Sequence, residues 1–121
     1  MSSDFLVYVP GFLNASWLVF SITVLVIVVS WICGLGAALG KTSRFAAARS
    51  AAAFYIWFIR GTPTLIQVFI VYFGFPQLGV KLSPFTAGVL ALGVNSGAYV
   101  AEIIRSGLSA IPKGQLESAM A

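Results

Sequence analysis

The chain has 121 residues, of which 60% are hydrophobic and only 8% are charged. A soluble domain carries about 25% charged residues, so this chain lacks the side chains to cover a water-facing surface. Disorder is also excluded, because it requires low hydrophobicity and high net charge. No charged residue occurs between Asp4 and Lys41, between Arg60 and Lys81, or between Lys81 and Glu102. Since about 20 apolar residues cross a bilayer as a helix, these gaps predict an integral membrane protein.

The residue types exclude several kinds of chemistry. There is no histidine, there are only three acidic residues, and Cys33 is the single cysteine. Most catalytic metal sites and histidine-based triads are therefore excluded, as is an intramolecular disulfide. The net charge is +4, but the basic residues are spread over predicted membrane boundaries rather than clustered. This pattern indicates membrane topology and not nucleic-acid binding.

The first predicted span covers about residues 17–39. The preceding residues, 1–16, carry turn signals at Pro10 and Gly11 and predict a weakly polar leader. Ser16 is positioned to cap the helix that follows.

The segment after the first span contains Lys41, Arg44 and Arg49 and no acid. Uncompensated basic residues beside a span indicate the cytoplasmic side. We therefore expect the N-terminus outside, residues 41–49 inside and a multi-pass arrangement.

The second predicted span covers about 52–75 and is entered through Arg60-Gly61-Thr62-Pro63. Arginine is costly in mid-bilayer, so Arg60 is expected near the cytoplasmic boundary. Thr62 is a candidate N-cap, and Pro63 suits the first turn of the helix. Residues 50–59 fit either an interfacial or a spanning segment. An external loop is expected over 74–84.

The third predicted span, about 84–105, contains polar and small residues that a purely lipid-facing helix does not need. Asn95, Ser96 and Tyr99, with Gln67 of the second span, are candidates either for a translocation path or for hydrogen bonds to a neighbouring helix. Glu102 and Arg105 are spaced to pair on one helix face.

Two readings remain open for these charges. With Arg60, the Glu102–Arg105 pair predicts either a cytoplasmic gate or a structural ion pair at the interface.

Small residues four apart occur twice, at Gly36/Gly40 and at Gly93/Gly97. This spacing predicts faces on which another helix can approach closely.

After Pro112-Lys113-Gly114 the sequence QLESAMA predicts a short amphipathic helix. Its position after the third span puts it on the cytoplasmic side. It has no capping residue before the sequence stops at Ala121, so we expect the 121 residues to be the N-terminal portion of a longer chain.

Two strings carry a resemblance to a known family. FIRGTPTLIQVFIVYFGFP at 58–76 and NSGAYVAEIIRSGLSAIPKGQLESAMA at 95–121 resemble the permease subunits of bacterial ABC importers for polar amino acids. The first is similar to that family's R-G-T-P-x-x-x-Q helix entry, and the second to the segment leading into its cytoplasmic EAA loop. Two departures are visible. Trp57 stands where an acid is often found three residues before the arginine, and Ser118 takes the first alanine position of the EAA box.

The resemblance implies an all-α membrane protein: three transmembrane helices and the start of a cytoplasmic coupling (EAA) helix at about 110–121, within a five-helix type I importer permease. It implies a bacterial inner-membrane location and a non-catalytic subunit. The partners it implies are ABC ATPase subunits, a second permease subunit, an extracytoplasmic amino-acid-binding protein and a polar amino acid. ATPase coupling would involve Pro112, Lys113, Gly114, Gln115, Glu117 and Ala119.

No cofactor is expected on this chain, because it contains no phosphate-binding G-x-x-x-x-G-K-[ST] pattern. ATP and magnesium would be bound by the partner ATPase. A rival hypothesis is a small homo-oligomeric channel or accessory membrane protein with three spans, which would need no docking element after Pro112.

Overall fold

The computed structural model describes residues 2–121, which form helices joined by short connections. Five α-helices follow one another: α1 (Ser2–Lys41), α2 (Ala46–Gly61), α3 (Thr64–Phe69), α4 (Pro84–Ala110) and α5 (Lys113–Met120). A π-helical turn (Ile70–Gly74) and a 3-10 turn (Phe75–Leu78) continue α3. The all-α prediction is confirmed for the described residues. By length and composition α1 and α4 can cross a membrane, and a third crossing exists if α2 and the α3 segment form one bent span.

Helix α1 begins much earlier than predicted. Its 40 residues extend about 60 Å, so the expected leader with turns at Pro10 and Gly11 is wrong. The proline lies inside the helix, where it removes one backbone hydrogen bond, a loss that apolar helices tolerate. Ser16 does not cap a helix, because its hydroxyl donates to the carbonyl of Phe12 one turn earlier, at 2.8 Å.

The second segment is broken rather than straight. Helix α2 and the segment from Thr64 to Leu78 are bent by 108° relative to each other. Thr62 adopts an extended conformation before Pro63, as expected for a residue preceding proline. The Thr62 hydroxyl donates to the Phe58 carbonyl at 2.7 Å, so Thr62 belongs to the end of α2 and is not an N-cap. Pro63 itself occupies the N-cap position of α3, one residue before the first turn where it was predicted.

The predicted loop over 74–84 is shorter than expected. Helical turns persist to Leu78, and the chain then reverses at Gly79, whose φ of 88° suits glycine. Ser83 is the N-cap of α4, and its hydroxyl accepts a hydrogen bond from the Thr86 amide at 3.2 Å. In this part of the chain only residues 79–83 form an irregular connection.

The main packing contact joins α1 to α4, and α2 crosses both of them. Glycine permits this close approach: a Cβ at Gly97 would lie 2.6 Å from the Cβ of Cys33. The small-residue face predicted at Gly93/Gly97 is confirmed, since both glycines face α1. The Gly36/Gly40 prediction is confirmed only at Gly40, where an added Cβ would lie 3.0 Å from the Cβ of Ala52 in α2, because nothing approaches Gly36 within 4 Å.

Helix α5 differs from the others. It packs against no other described element, and all of its residues are exposed. The fold therefore consists of a packed helical body with one short helix extending from the end of α4.

Candidate functional site

A buried amide pair joins the broken segment to α4. Gln67 is carried into the interior by the bend after Pro63, and it is 7% exposed, as is Asn95 of α4. The Asn95 amide nitrogen donates to Gln67 Oε1 at 2.9 Å. Gln67 Nε2 donates in turn to the carbonyls of Ile59 (3.0 Å) and Thr62 (3.1 Å). One side chain thus bonds carbonyls at the end of α2 and ties the bend to α4.

Tyr55 makes a second polar contact between helices. It lies on the inner face of α2, and its hydroxyl donates to the carbonyl of Val94 in α4. A Cβ at Gly97 would lie 2.8 Å from this hydroxyl, so the glycine leaves the space that the tyrosine fills. Tyr55 was not predicted from the sequence, although a tyrosine inside an apolar helix indicates a hydroxyl that needs a hydrogen-bond partner.

Four charged residues lie close together near the C-terminal end of α4. Glu102 lies 2.9 Å from Arg105, 3.6 Å from Lys41 and 3.8 Å from Arg60. These atoms come from three helices, because Lys41 ends α1 and Arg60 lies in the last turn of α2. Glu102, Arg105 and Arg60 were predicted from sequence as a gate or ion pair, whereas Lys41 was predicted only as a marker of topology. We refer to the four as the Glu102 cluster.

The guanidinium of Arg60 also lies over the ring of Tyr99, 5.6 Å from its centroid, in cation–π geometry. Arg60 and Tyr99 line an open groove with Glu102, Ile103 and Ser106. We call it the Arg60 groove.

The four candidate path residues therefore fall into two groups. Gln67 and Asn95 are buried and bonded to each other, whereas Tyr99 is 46% exposed and contacts Arg60. Ser96 is half-buried on α4. The structure brings Tyr99 to the Glu102 cluster and separates it from the amide pair.

An apolar groove of about 300 Å³ lies beside Gln67, between α2, the α3 segment and α4. Its other lining residues are apolar: Phe58, Ile59, Ile70, Val71, Phe75, Leu90, Ala91 and Val94. A zwitterionic amino acid needs polar partners, and the only polar side chain here already has its own. The groove suits apolar atoms rather than a polar substrate.

The candidate coupling residues lie together in and just before α5. Pro112 is the N-cap of α5, and Lys113 begins it. Gly114, Gln115, Glu117 and Ala119 follow along the helix, all exposed. No ion pair involving Glu117 lies among the described residues.

Comparisons with known proteins agree with this arrangement. The family described as "Binding-protein-dependent transport system inner membrane component" matches residues 27–121. A putative glutamine transport system permease protein of Rickettsia felis is 44% identical over 100 residues, covering 82% of this chain and 46% of the relative. An arginine transport system permease protein of Bacillus subtilis is 44% identical over 114 residues, covering 93% of this chain and 52% of the relative.

A solved structure is similar as well. A chain in the crystal structure of an amino acid ABC transporter with histidines matches with a TM-score of 0.89 and 41% identity, over 97% of this chain and 55% of that chain. The chain thus spans about half the length of the relatives it matches. Its helices, its motifs and these likenesses lead to one conclusion: the chain belongs to the family of binding-protein-dependent transport system inner membrane components.

Proposed function

We propose that this chain is part of the transmembrane permease subunit of an ATP-driven importer of polar amino acids in a bacterial inner membrane. The observation that carries the proposal is the likeness, at a TM-score of 0.89 and 41% identity, to a chain of an amino acid ABC transporter. Relatives are named for glutamine, arginine and cystine transport, so the proposal specifies the class of substrate and not one amino acid.

In this proposal α5 is the coupling helix, the element that contacts the ATPase subunit. Its exposure on all sides supports the assignment, because a docking helix must offer its surface to a partner. Gly114 offers space for close approach, since nothing lies within 4 Å of it. The chain itself is non-catalytic, and a partner chain hydrolyses ATP.

The Glu102 cluster is proposed to relay movement of α5 to the other helices. Only Ile111 and Pro112 separate α5 from α4, and Glu102 lies on α4 about two turns before that joint. Its ion pairs reach the ends of α1 and α2. A shift of α4 would therefore strain the pairs with Lys41 and Arg60 together, which is the behaviour expected of a gate on the cytoplasmic side.

For the translocation path we propose Ser96 and Tyr99, which are more accessible than the amide pair. Gln67 and Asn95 were candidates for the same path. Their mutual hydrogen bond favours the alternative role, in which they hold the bend against α4. In an assembled transporter this bond would keep the path-facing side of α4 in one orientation.

The test is co-expression of the natural chain with candidate ATPase and binding-protein subunits, followed by purification and reconstitution. We expect the ATPase to co-purify, and uptake of radiolabelled glutamine, arginine or cystine to require ATP. Combined Gly114→Leu and Glu117→Lys substitutions should abolish both ATPase binding and stimulated ATP hydrolysis, whereas Arg44→Gln should preserve them.

Two results would overturn the assignment. One is intact ATPase binding and stimulated hydrolysis in the combined variant, which would remove α5 from coupling. The other is solute flux through the purified chain without any ATPase, as expected from a homo-oligomeric channel.

A further inference from the structure

The Glu102 cluster carries more positive than negative charge. Three cations, Lys41, Arg60 and Arg105, share one carboxylate, and every ion pair among the described residues involves Glu102. Two positive charges therefore remain uncompensated within a few ångströms of each other. The cluster has the charge of a site for an anion.

Arg60 lies farther from Glu102 than the other two cations and is the most exposed of them. Its guanidinium is 3.8 Å from Glu102 Oε2, the same oxygen that accepts a hydrogen bond from Arg105 at 2.9 Å. A guanidinium has five N–H donors, yet Arg60 donates no side-chain hydrogen bond to the described residues. Its side chain is 49% exposed. These donors are free to bind a ligand in the Arg60 groove.

The surface beside Arg60 is apolar and aromatic. Trp57 lies one turn before Arg60 and is 71% exposed, and the exposed ring of Phe54 adjoins it. Phe58, two residues before Arg60, projects from the other side of α2 and lines the apolar groove beside Gln67. Phe54 stacks on Phe58 with ring centroids 5.8 Å apart and lies 6.2 Å from Trp57. Across the groove, Ile103 is 70% exposed. An anion bound to Arg60 would thus lie beside a surface suited to hydrocarbon chains.

We propose that the Arg60 groove binds an anionic phospholipid. Its phosphate accepts hydrogen bonds from the guanidinium of Arg60 and from the exposed hydroxyl of Ser106. Its acyl chains lie against Trp57 and Phe54. Basic pockets between membrane helices commonly bind anionic headgroups in this way.

The combination of charge and apolar surface selects a lipid over other anions. Inorganic phosphate would use only the cations, and an acidic protein segment would leave Trp57 and Phe54 without hydrocarbon contact. Trp57 matters for charge too, because an acid at this position would pair with Arg60 at i, i+3 and compete with the phosphate. The inference requires only that the chain lies in a membrane, and it is independent of the proposed transport function.

The first experiment uses Trp57 as a reporter. The natural chain carrying Trp17→Phe and Trp31→Phe is reconstituted with brominated phosphatidylglycerol or brominated phosphatidylcholine, and quenching of Trp57 is measured. We expect the anionic lipid to associate about fivefold more strongly than phosphatidylcholine, because one basic group near an anionic headgroup strengthens binding by about that factor. Arg60→Gln should remove the preference, whereas Arg44→Gln should keep it. Circular dichroism and gel filtration establish that both variants fold.

The second experiment changes charge without removing Arg60. Native mass spectrometry counts phosphatidylglycerol molecules retained by the natural chain, by Trp57→Glu and by Trp57→Gln. Trp57→Glu should lose one retained lipid, and Trp57→Gln should retain it. Sodium phosphate at millimolar concentration should not displace the lipid.

The proposal is overturned by equal quenching from the two lipids, or by a preference that survives Arg60→Gln. Equal lipid retention in Trp57→Glu and Trp57→Gln would also overturn it. Displacement by free phosphate would show an anion site that does not recognise the lipid chains.

Discussion

The side chains of Asn95 and Gln67, which are 28 residues apart in sequence, form a buried hydrogen bond of 2.9 Å. Because Gln67 also bonds the Ile59 and Thr62 carbonyls, this contact holds together the end of α2, the start of α3 and the middle of α4. The 108° bend is therefore fixed by side-chain chemistry as well as by Pro63.

The losses of stability caused by removing the two members of this pair should be less than additive. Asn95→Leu leaves Gln67 Oε1 buried without its partner, which costs about 1–3 kcal/mol in the free energy of unfolding. Gln67→Leu also leaves the Ile59 and Thr62 carbonyls without these hydrogen bonds. The double variant should lose less than the sum of the two. Unfolding by sodium dodecyl sulfate, followed by circular dichroism, measures all three; strictly additive losses would contradict this coupling.

Gly97→Ala should loosen the contact between α1 and α4. The new Cβ would lie 2.6 Å from the Cβ of Cys33, and such overpacking typically costs about 1–3 kcal/mol. Gly88→Ala is the matched control on the same helix, because nothing lies within 4 Å of Gly88. It should leave stability unchanged or raise it by up to about 1 kcal/mol. Equal effects of the two substitutions in the same unfolding assay would argue against this packing.

Glu102→Gln should affect stability more than loss of any one cation. It leaves Lys41, Arg60 and Arg105 close together without a counter-charge. Exposed pairs contribute about 0.2–1 kcal/mol each, so we expect a loss of about 1–2 kcal/mol for Glu102→Gln and a smaller one for Arg105→Gln. Glu117→Gln, at an exposed position, should change stability by less than about 0.5 kcal/mol. High salt should reduce these differences; the opposite order would contradict the shared carboxylate.

Tyr55→Phe should remove the hydrogen bond to the Val94 carbonyl while preserving the ring. The expected loss is about 0.5–1.5 kcal/mol in the free energy of unfolding. Tyr8→Phe provides the control, since Tyr8 is 73% exposed and should be neutral. A neutral Tyr55→Phe variant would show that the hydroxyl contributes nothing to the contact between α2 and α4.

Orientation in the membrane can be tested with single cysteines in a Cys33→Ser background. The basic residues around Arg44 predict that this connection is cytoplasmic. A membrane-impermeant maleimide should therefore label Ser3→Cys and Lys81→Cys in right-side-out vesicles, and Arg44→Cys only in inverted vesicles. The reverse pattern would invert the topology.

Much of the helical architecture was predictable from local sequence. Continuous apolar residues predicted the helical body of α1, and the third span was predicted to start at about residue 84, where α4 begins. The same local reasoning failed at Pro10, because a proline removes one hydrogen bond and the apolar residues on both sides still favour a helix. It also misplaced Thr62, whose hydroxyl has a carbonyl partner in α2 and not an amide partner in α3.

The candidate site was predictable only in part. Glu102 and Arg105 share one helix, so their spacing alone predicted a pair. Lys41 was missed because it reaches Glu102 from another helix, and Tyr55 was missed because its partner is a backbone carbonyl on α4. Gln67 and Asn95 were named as polar residues in apolar spans, but nothing local indicated that they bond each other.

The sequence by itself determined that this chain is a helical membrane protein, because sparse charge and long apolar stretches suffice for that conclusion. Its motifs also indicated the transport family. Only the tertiary structure decided that one carboxylate serves three helix ends, that the second segment bends at Pro63, and that Arg60 keeps unused donors beside an aromatic surface. These features depend on contacts between residues far apart in sequence, and such contacts arise only when the helices pack together.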